Sequence, residues 1–115
     1  MATKDDCIFC KLANGEIPTD LLYQDDLVAA FRDANPQAPV HVLVVPRDHY
    51  DDIVDDVPAE VLKAMVDAVA RVAELEGVAE SGFRVIANTG ADAGQTVGHL
   101  HMHVLAGRDM GEVLA

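Results

Sequence analysis

Apolar residues recur at every second position, or in short β-branched runs, in five stretches of the chain, a pattern typical of β-strands. The predicted strands are 21–24, 27–31, 40–45, 83–88 and 99–105. Asp25-Asp26 lies between the first two and predicts a hairpin turn, so these strands should run antiparallel.

The apolar period changes between Pro58 and about Glu76, where it matches one face of a long amphipathic helix. Pro58 suits the first turn of such a helix, and Gly77 suits the position just after its end. Its predicted apolar stripe is Leu62, Met65, Val66, Val69, Val72 and Ala73. A helix of a turn or two is predicted at 7–12. Together these elements predict an α+β fold, with an antiparallel five-stranded sheet, one long amphipathic helix and a short N-terminal helix.

The length and composition favour one folded unit. The chain has 115 residues, 50% of them hydrophobic, which is enough for one core and predicts a single domain over 1–115. No apolar stretch reaches the ~18 to 20 residues of a membrane-spanning helix, and the first residues lack a signal-peptide pattern. We therefore expect a cytoplasmic protein without a membrane partner.

Acidic residues dominate the charge. There are 20 Asp and Glu against 8 Lys and Arg, which gives a formal net charge of −12. This charge repels phosphate backbones at long range, so nucleic acid is not expected as a ligand. Aspartates occur in runs at 5–6, 25–26, 51–52 and 55–56. Two interpretations stay open: a solvated acidic face, or a protein from a high-salt cytoplasm.

Three of the five histidines, His99, His101 and His103, stand at alternate positions of the last predicted strand. Successive side chains of a strand point to opposite faces, so the three imidazoles should share one face and the apolar residues between them should face the core. The plain alternative is the polar side of an edge strand. Neighbouring positive charges disfavour protonation, so at least one ring should stay neutral and nucleophilic near pH 7.

The glycine-containing loop before this strand includes Gln95 and Thr96. Its amide, hydroxyl and backbone N–H groups could surround a phosphate. The sequence contains neither G-x-x-x-x-G-K-[ST] nor G-x-G-x-x-G after a strand. Phosphoryl or nucleotidyl chemistry carried by histidine is therefore favoured.

The segment HLHMHVL at 99–105 resembles the His-x-His-x-His-x-x signature, with x hydrophobic, of the histidine triad nucleotide-binding family. Further segments look like family blocks in family order: 7–10, 16–18, 31–33, 36–39, His41, 46–49 and 94–97. The resemblance covers about 7–108. It implies an α+β homodimer that binds purine nucleotides and cleaves a bond at the α-phosphorus.

The resemblance also implies roles by position. His101 is implied as the nucleophile that forms a nucleotidyl-histidine intermediate, with His103 and His41 as supporting histidines. Seven further residues are implied to contact the nucleotide: Asn88, Gln95 and Thr96 around the phosphate, Asp33 at the ribose hydroxyls, and Phe9, Ile17 and Leu43 along the base. Each of the three apolar residues, taken alone, would more often belong to a core.

Cys7 and Cys10 form a C-x-x-C pair that leaves three interpretations open. A disulfide is not expected in a reducing cytoplasm. The pair could instead be two buried thiols without a metal, or half of a tetrahedral zinc site that two histidines complete. The zinc-bearing members of the family, which this segment resembles, imply His49 and His99 as the other ligands.

The branch of the family is indicated by two segments. The sequences at 36–39 and 107–110 resemble the nucleoside phosphoramidases, which implies an adenosine 5′-phosphoramidate-like substrate. Thr96 stands where that branch often has serine, and it resembles the dinucleoside polyphosphate hydrolases, the nearest alternative. A different alternative is a non-catalytic, zinc-stabilised nucleotide-binding module that acts through partner proteins.

Overall fold

Five strands and two α-helices make up the computed structural model, which describes residues 3–4 and 6–112. The helices are α1, Ile8–Ala13, and α2, Ala59–Leu75; the strands are β1, Leu21–Gln24, β2, Val28–Arg32, β3, Val40–Pro46, β4, Phe83–Ile86, and β5, Met102–Ala106. They form one antiparallel sheet in the order β1-β2-β3-β5-β4. The predicted fold class is confirmed.

The central strand β3 divides its side chains between two apolar layers. Val42 and Val44 pack with α2 on one face of the sheet. Leu43 and Val45 point to the other face, where they pack with residues of α1. The long helix therefore covers one face, and the short helix covers part of the opposite face, leaving room beside it.

The buried stripe of α2 is rotated relative to the prediction. Val61 and Ala68 are buried in the core, whereas Val66, predicted to be buried, is 55% exposed. An apolar residue flanking the true stripe is indistinguishable from a member of it by periodicity alone. The helix bounds nevertheless agree with the prediction to within one residue, with Pro58 before the first turn and Gly77 beyond Glu76 in a left-handed conformation (φ +72°).

The last strand is shorter than predicted, because β5 begins at Met102 and residues 99–101 precede it. Its neighbour β3 ends at Pro46, which has no N–H to donate to a ladder. Leu100 instead donates its N–H to the backbone oxygen of Tyr50, at 2.7 Å. Strand pairing therefore stops, and the chain turns toward the loop after β3.

The edge strand β4 is also shorter, ending at Ile86 rather than at residue 88. Ile86 lies opposite His103, one residue from the start of β5 at Met102. In the same register Asn88 would lie opposite His101, which is outside β5. The other predicted bounds hold to within one residue at each end. Among the described residues, no helix is both long and apolar enough to cross a membrane.

Candidate functional site

His101 is buried against α1, and its hydrogen position follows from its partner. Its Nδ1 lies 2.7 Å from the backbone oxygen of His99. A carbonyl oxygen only accepts, so Nδ1 carries the hydrogen, and a neutral ring has its lone pair on Nε2. The ring of Phe9 meets it edge-on, with centroids 5.0 Å apart. The arrangement holds a nucleophilic nitrogen in a fixed direction.

His103 and His41 lie side by side on β5 and β3. Nε2 of His41 is 2.9 Å from Nδ1 of His103 and 3.5 Å from a carboxylate oxygen of Asp33. Burial lowers the pKa of His103, the nearby imidazoles of His101 and His41 lower it further, and Asp33 opposes them. His103 is therefore held in its neutral form at neutral pH.

The alternation predicted for the histidine segment is confirmed. Leu100 and Met102 lie in the core on the α2 side of the sheet. His99 and His101 lie on the opposite side, each with its ring edge-on to Phe9. The ring centroids of His101 and His103 are 5.0 Å apart. His103, in β5, therefore lies on the same face as His99 and His101.

A cleft of about 500 Å³ opens beside these rings, between α1, the loop after β2 and the loop before His99. Its size is in the range of small-molecule sites. Six predicted site residues line it: Phe9, Asp33, Leu43, Thr96, His101 and His103. Seven further residues line it that were not predicted as site residues: Ile8, Leu12, Thr19, Phe31, Arg32, Ala34 and Val97. The cleft brings an apolar wall, a carboxylate, two threonines and two imidazoles together.

Four other predicted residues do not line this cleft. His41 lies behind His103, while Ile17 and Asn88 are partly buried elsewhere. Gln95 has its side-chain amide engaged with the backbone: Nε2 donates to the oxygens of Asp51, at 2.7 Å, and Val97, at 3.2 Å, and Oε1 accepts the N–H of Gly90. Gln95 thus braces the loop that carries Thr96.

Apart from the cleft, Cys7, Cys10, His49 and His99 form a cysteine-containing cluster. Their ligand atoms all lie within 4.8 Å of one another. Nδ1 of His99 is 3.3 and 3.4 Å from the two sulfur atoms, and Nδ1 of His49 is 3.3 Å from Sγ of Cys10. A tetrahedral zinc ion with ordinary Zn–S and Zn–N bonds separates sulfur from nitrogen by about 3.5 Å. The spacing and the donor set both fit such an ion.

The outer nitrogen of each histidine in this cluster also has a partner. Nε2 of His99 donates to the backbone oxygen of Pro46, and Nε2 of His49 donates to a carboxylate oxygen of Asp51, each at 2.9 Å. These bonds place the lone pair of each ring on Nδ1, toward the sulfur atoms. Metal-binding histidines are commonly oriented in this way.

Burial is the main cause of the pKa shifts of His99 and Cys10. Burial lowers the pKa of His99 to about 4, partly opposed by the bond to Pro46, so its Nδ1 lone pair is free near neutral pH. Burial also raises the pKa of Cys10 to about 11, with Cys7 adding to the shift. Deprotonating the Cys10 thiol therefore requires a compensating positive charge, which a bound metal ion would supply.

The loop after His49 is folded by its own aspartates, which the sequence analysis treated only as charge. Asp55 accepts the N–H of Asp51, and Asp52 accepts the N–H of Val54. This local turn places Asp51 against His49. The sequence did contain a signal for this contact, because Asp51 follows the predicted metal ligand His49 by two residues.

Comparisons with known proteins find relatives that match most of the chain. The sequence model of the HIT domain family matches residues 14–110. Purine nucleoside phosphoramidase from Escherichia coli (strain K12) is 49% identical over 114 residues, which cover 96% of this chain and 95% of that protein. Among solved structures, a histidine triad protein from Clostridium difficile superposes with a TM-score of 0.90 at 46% identity, covering 97% of this chain and 99% of that one. A HIT family hydrolase from Clostridium thermocellum gives 0.92 at 43% identity, covering 98% and 100%.

Proposed function

This chain belongs to the HIT domain family, and on that basis we propose that it hydrolyses a purine nucleoside 5′-phosphoramidate, such as that of adenosine, through a covalent intermediate on His101. The observation that carries this proposal is the 2.7 Å bond from Nδ1 of His101 to the backbone of His99. That bond leaves Nε2 as the nucleophile at the side of the cleft. The substrate class is supported by the 49% identical relative, which is named a purine nucleoside phosphoramidase.

The chemistry requires two displacements at phosphorus. Nε2 of His101 forms a bond to the α-phosphorus while the phosphorus–nitrogen bond to the amine breaks, and the amine leaves with the electron pair and gains a proton. Water then attacks the phosphorus, the bond to His101 breaks, and the nucleoside monophosphate is released. Two inversions give net retention. His103 and the hydroxyl of Thr96, which line the cleft, would donate hydrogen bonds to the phosphoryl oxygens.

The nucleotide would lie along the cleft. We assign the ribose hydroxyls to Asp33 and the base to the apolar wall that includes Phe9 and Leu43, because these residues line the same cavity as His101. Contact of the nucleotide with Ile17, Asn88 or Gln95 stays a prediction, since these residues lie outside that lining.

A substrate panel tests the proposed function. We expect kcat/KM to be at least about tenfold higher for adenosine 5′-phosphoramidates than for dinucleoside polyphosphates, the alternative substrates. The reverse order would assign the chain to the dinucleoside polyphosphate hydrolases. Tight binding of adenosine monophosphate without any turnover would instead identify a non-catalytic nucleotide-binding module.

The Cys7, Cys10, His49 and His99 cluster is proposed to hold a structural zinc ion. Two thiolates and two imidazoles are a common zinc donor set, and both imidazoles present their Nδ1 atoms to the sulfurs. The ion would join α1, the loop after β3 and the segment before β5, three parts of the chain that are distant in sequence.

We further propose a homodimer formed along β4. This strand lies at the edge of the sheet, with β5 as its neighbour. Phe83 and Val85 share the face that α2 covers elsewhere, yet they are 38% and 43% exposed. An edge strand with exposed apolar side chains suits association with a second copy of this chain.

Val85→Asp should weaken self-association by about 30-fold or more, because burying an unpaired charge at an interface costs ~2 kcal/mol or more. Light scattering coupled to gel filtration, over a dilution series, measures the change. The matched control is Val54→Asp, on a valine that is 76% exposed in the loop after β3. Equal masses for both variants and the wild type would argue against this interface.

We propose that residues 1–115 form a single cytoplasmic domain.

The net charge of −12 should make the stability of this domain sensitive to salt. The thermal midpoint should rise with KCl, because added ions screen repulsion among carboxylates. The Debye length is already about 10 Å at 0.1 M, so simple screening should level off within a few tenths molar. A midpoint that still climbs to about 2 M would indicate adaptation to high salt; a flat midpoint would leave a solvated acidic face.

A further inference from the structure

Hydrogen bonds connect the loop after β2 to the side of the cleft. The backbone N–H of Gln37 donates to Nδ1 of His41, with the nitrogens 3.0 Å apart. On the other side of the same ring, Nε2 lies 2.9 Å from Nδ1 of His103. Both nitrogens of His41 have partners in this orientation, and flipping the ring would put carbon atoms in their places.

The hydrogen positions follow from what each group can do. A peptide N–H only donates, so Nδ1 of His41 accepts, and a neutral His41 carries its hydrogen on Nε2. The nearest acceptor for that hydrogen is Nδ1 of His103, at 2.9 Å, with a carboxylate oxygen of Asp33 farther away at 3.5 Å. Neutral His103, with Nδ1 accepting, carries its own hydrogen on Nε2.

Asp33, His41 and His103 could serve either as a metal site or as a hydrogen-bonded set, and the hydrogen on His41 decides between the two. Their ligand atoms lie within 4.8 Å of one another, as in the cysteine-containing cluster. A metal ion at this place would need the lone pair of Nε2 of His41, which the hydrogen occupies. At His49 and His99 the nitrogen that points away from the ligand site, Nε2, donates to an acceptor. At His41 the corresponding nitrogen, Nδ1, instead accepts from a donor. The three residues are arranged for hydrogen bonding.

We propose that the peptide N–H of Gln37 is a positioning group for the reaction: acting through His41, it selects the tautomer in which His103 presents an N–H to the cleft. This inference rests on the proposed function and adds to it. An N–H beside His101 can bind a phosphoryl oxygen, whereas the other tautomer would direct a lone pair at the same oxygen and repel it. A peptide N–H is not an acid at neutral pH. The row of hydrogen bonds from Gln37 through His41 to His103 therefore orients hydrogens and does not conduct protons.

The first test reads the tautomers in the wild-type, substrate-free, full-length protein. Long-range ¹H–¹⁵N correlation spectra of ¹⁵N-histidine-labelled protein distinguish protonated from bare ring nitrogens. We expect bare Nδ1 and protonated Nε2 at both His41 and His103. A hydrogen on Nδ1 of His41 would overturn the proposal whatever the protein hydrolyses.

The second test removes the donor. Gln37→Pro eliminates the N–H, while Gln37→Ala keeps it and removes the side chain, whose amide bonds to the backbone oxygen of Asn35. Relative to the alanine variant, the proline variant should show mixed tautomers at His41 and His103 and about a tenfold lower kcat, with KM within about twofold. Unchanged tautomers together with equal kcat values would refute the role of the N–H.

A third comparison applies even if the proline variant fails to fold. Glutamine can place an amide N–H near the position of Nε2 in histidine, whereas asparagine places it near Nδ1. His103→Gln should therefore retain about tenfold more kcat than His103→Asn, and the opposite order would contradict the assigned tautomer. If the tautomers are as expected but phosphoramidates are not hydrolysed, the proposed function fails. The spectra of Gln37→Pro and Gln37→Ala then still decide whether the N–H of Gln37 selects the tautomers of His41 and His103.

Discussion

His101→Ala should lower kcat for a phosphoramidate by at least about 1,000-fold and leave adenosine monophosphate binding within about tenfold of the wild type. A nucleophile contributes mainly to the transition state, and the other groups that line the cleft remain in the variant. Steady-state kinetics and calorimetry measure the two quantities. Near wild-type kcat in this variant would exclude His101 as the nucleophile.

Three further experiments test His101 as the nucleophile, and the first of them separates loss of the nucleophile from loss of structure. In His101→Gly the missing ring leaves a space beside Phe9, so added imidazole should restore part of the activity. Quenching the wild-type reaction during turnover should trap a nucleotidyl adduct whose mass maps to His101. A chiral phosphorus substrate should react with net retention; inversion would mean that water attacks the substrate directly.

Removal of zinc should lower the thermal midpoint by about 15 °C. An ion bound at about 1,000 times its Kd stabilises a fold by ~4 kcal/mol, and each kcal/mol shifts the midpoint of a domain of this size by about 4 °C. The expected loss is large because the site joins three segments that are distant in sequence. Calorimetry before and after chelation, followed by zinc addition, measures it.

Cys10→Ser provides the matched control for this prediction. The variant should melt at a lower temperature than the wild type, and the chelator should then have no further effect, because the site is already incomplete. Elemental analysis of protein purified without chelators should give close to one zinc per chain. Less than about 0.2 zinc per chain would leave Cys7 and Cys10 as two buried thiols.

The fold was largely predictable because it depends on local patterns. Alternation placed His99, His101 and His103 on one face, and the change of period located α2 to within one residue. The start of β5 was not predictable in the same way, because it depends on Pro46, a proline in the partner strand with no N–H to offer. The residue at which a strand begins can thus be set by a paired strand that is distant in sequence.

The site shows a similar division. Histidines and cysteines were recognisable because few other side chains bind metals or attack phosphorus. Gln95 was assigned to the phosphate by its residue type, but its amide is engaged with the backbone of Asp51 and Val97. The role argued for Gln37 belongs to its peptide group, which every residue except proline has. A sequence does not mark contributions of this kind.

His99 contributes its side chain to the cysteine-containing cluster and its backbone oxygen to the orientation of His101. Its ring faces the sulfur atoms of Cys7 and Cys10, while its backbone oxygen accepts the hydrogen of His101. Any amino acid at position 99 would supply the same oxygen, so the orientation of the nucleophile places no demand on which side chain stands there. The side chain is free to specialise in metal binding, and a substitution at 99 would separate the two tasks, removing a ligand without removing the acceptor.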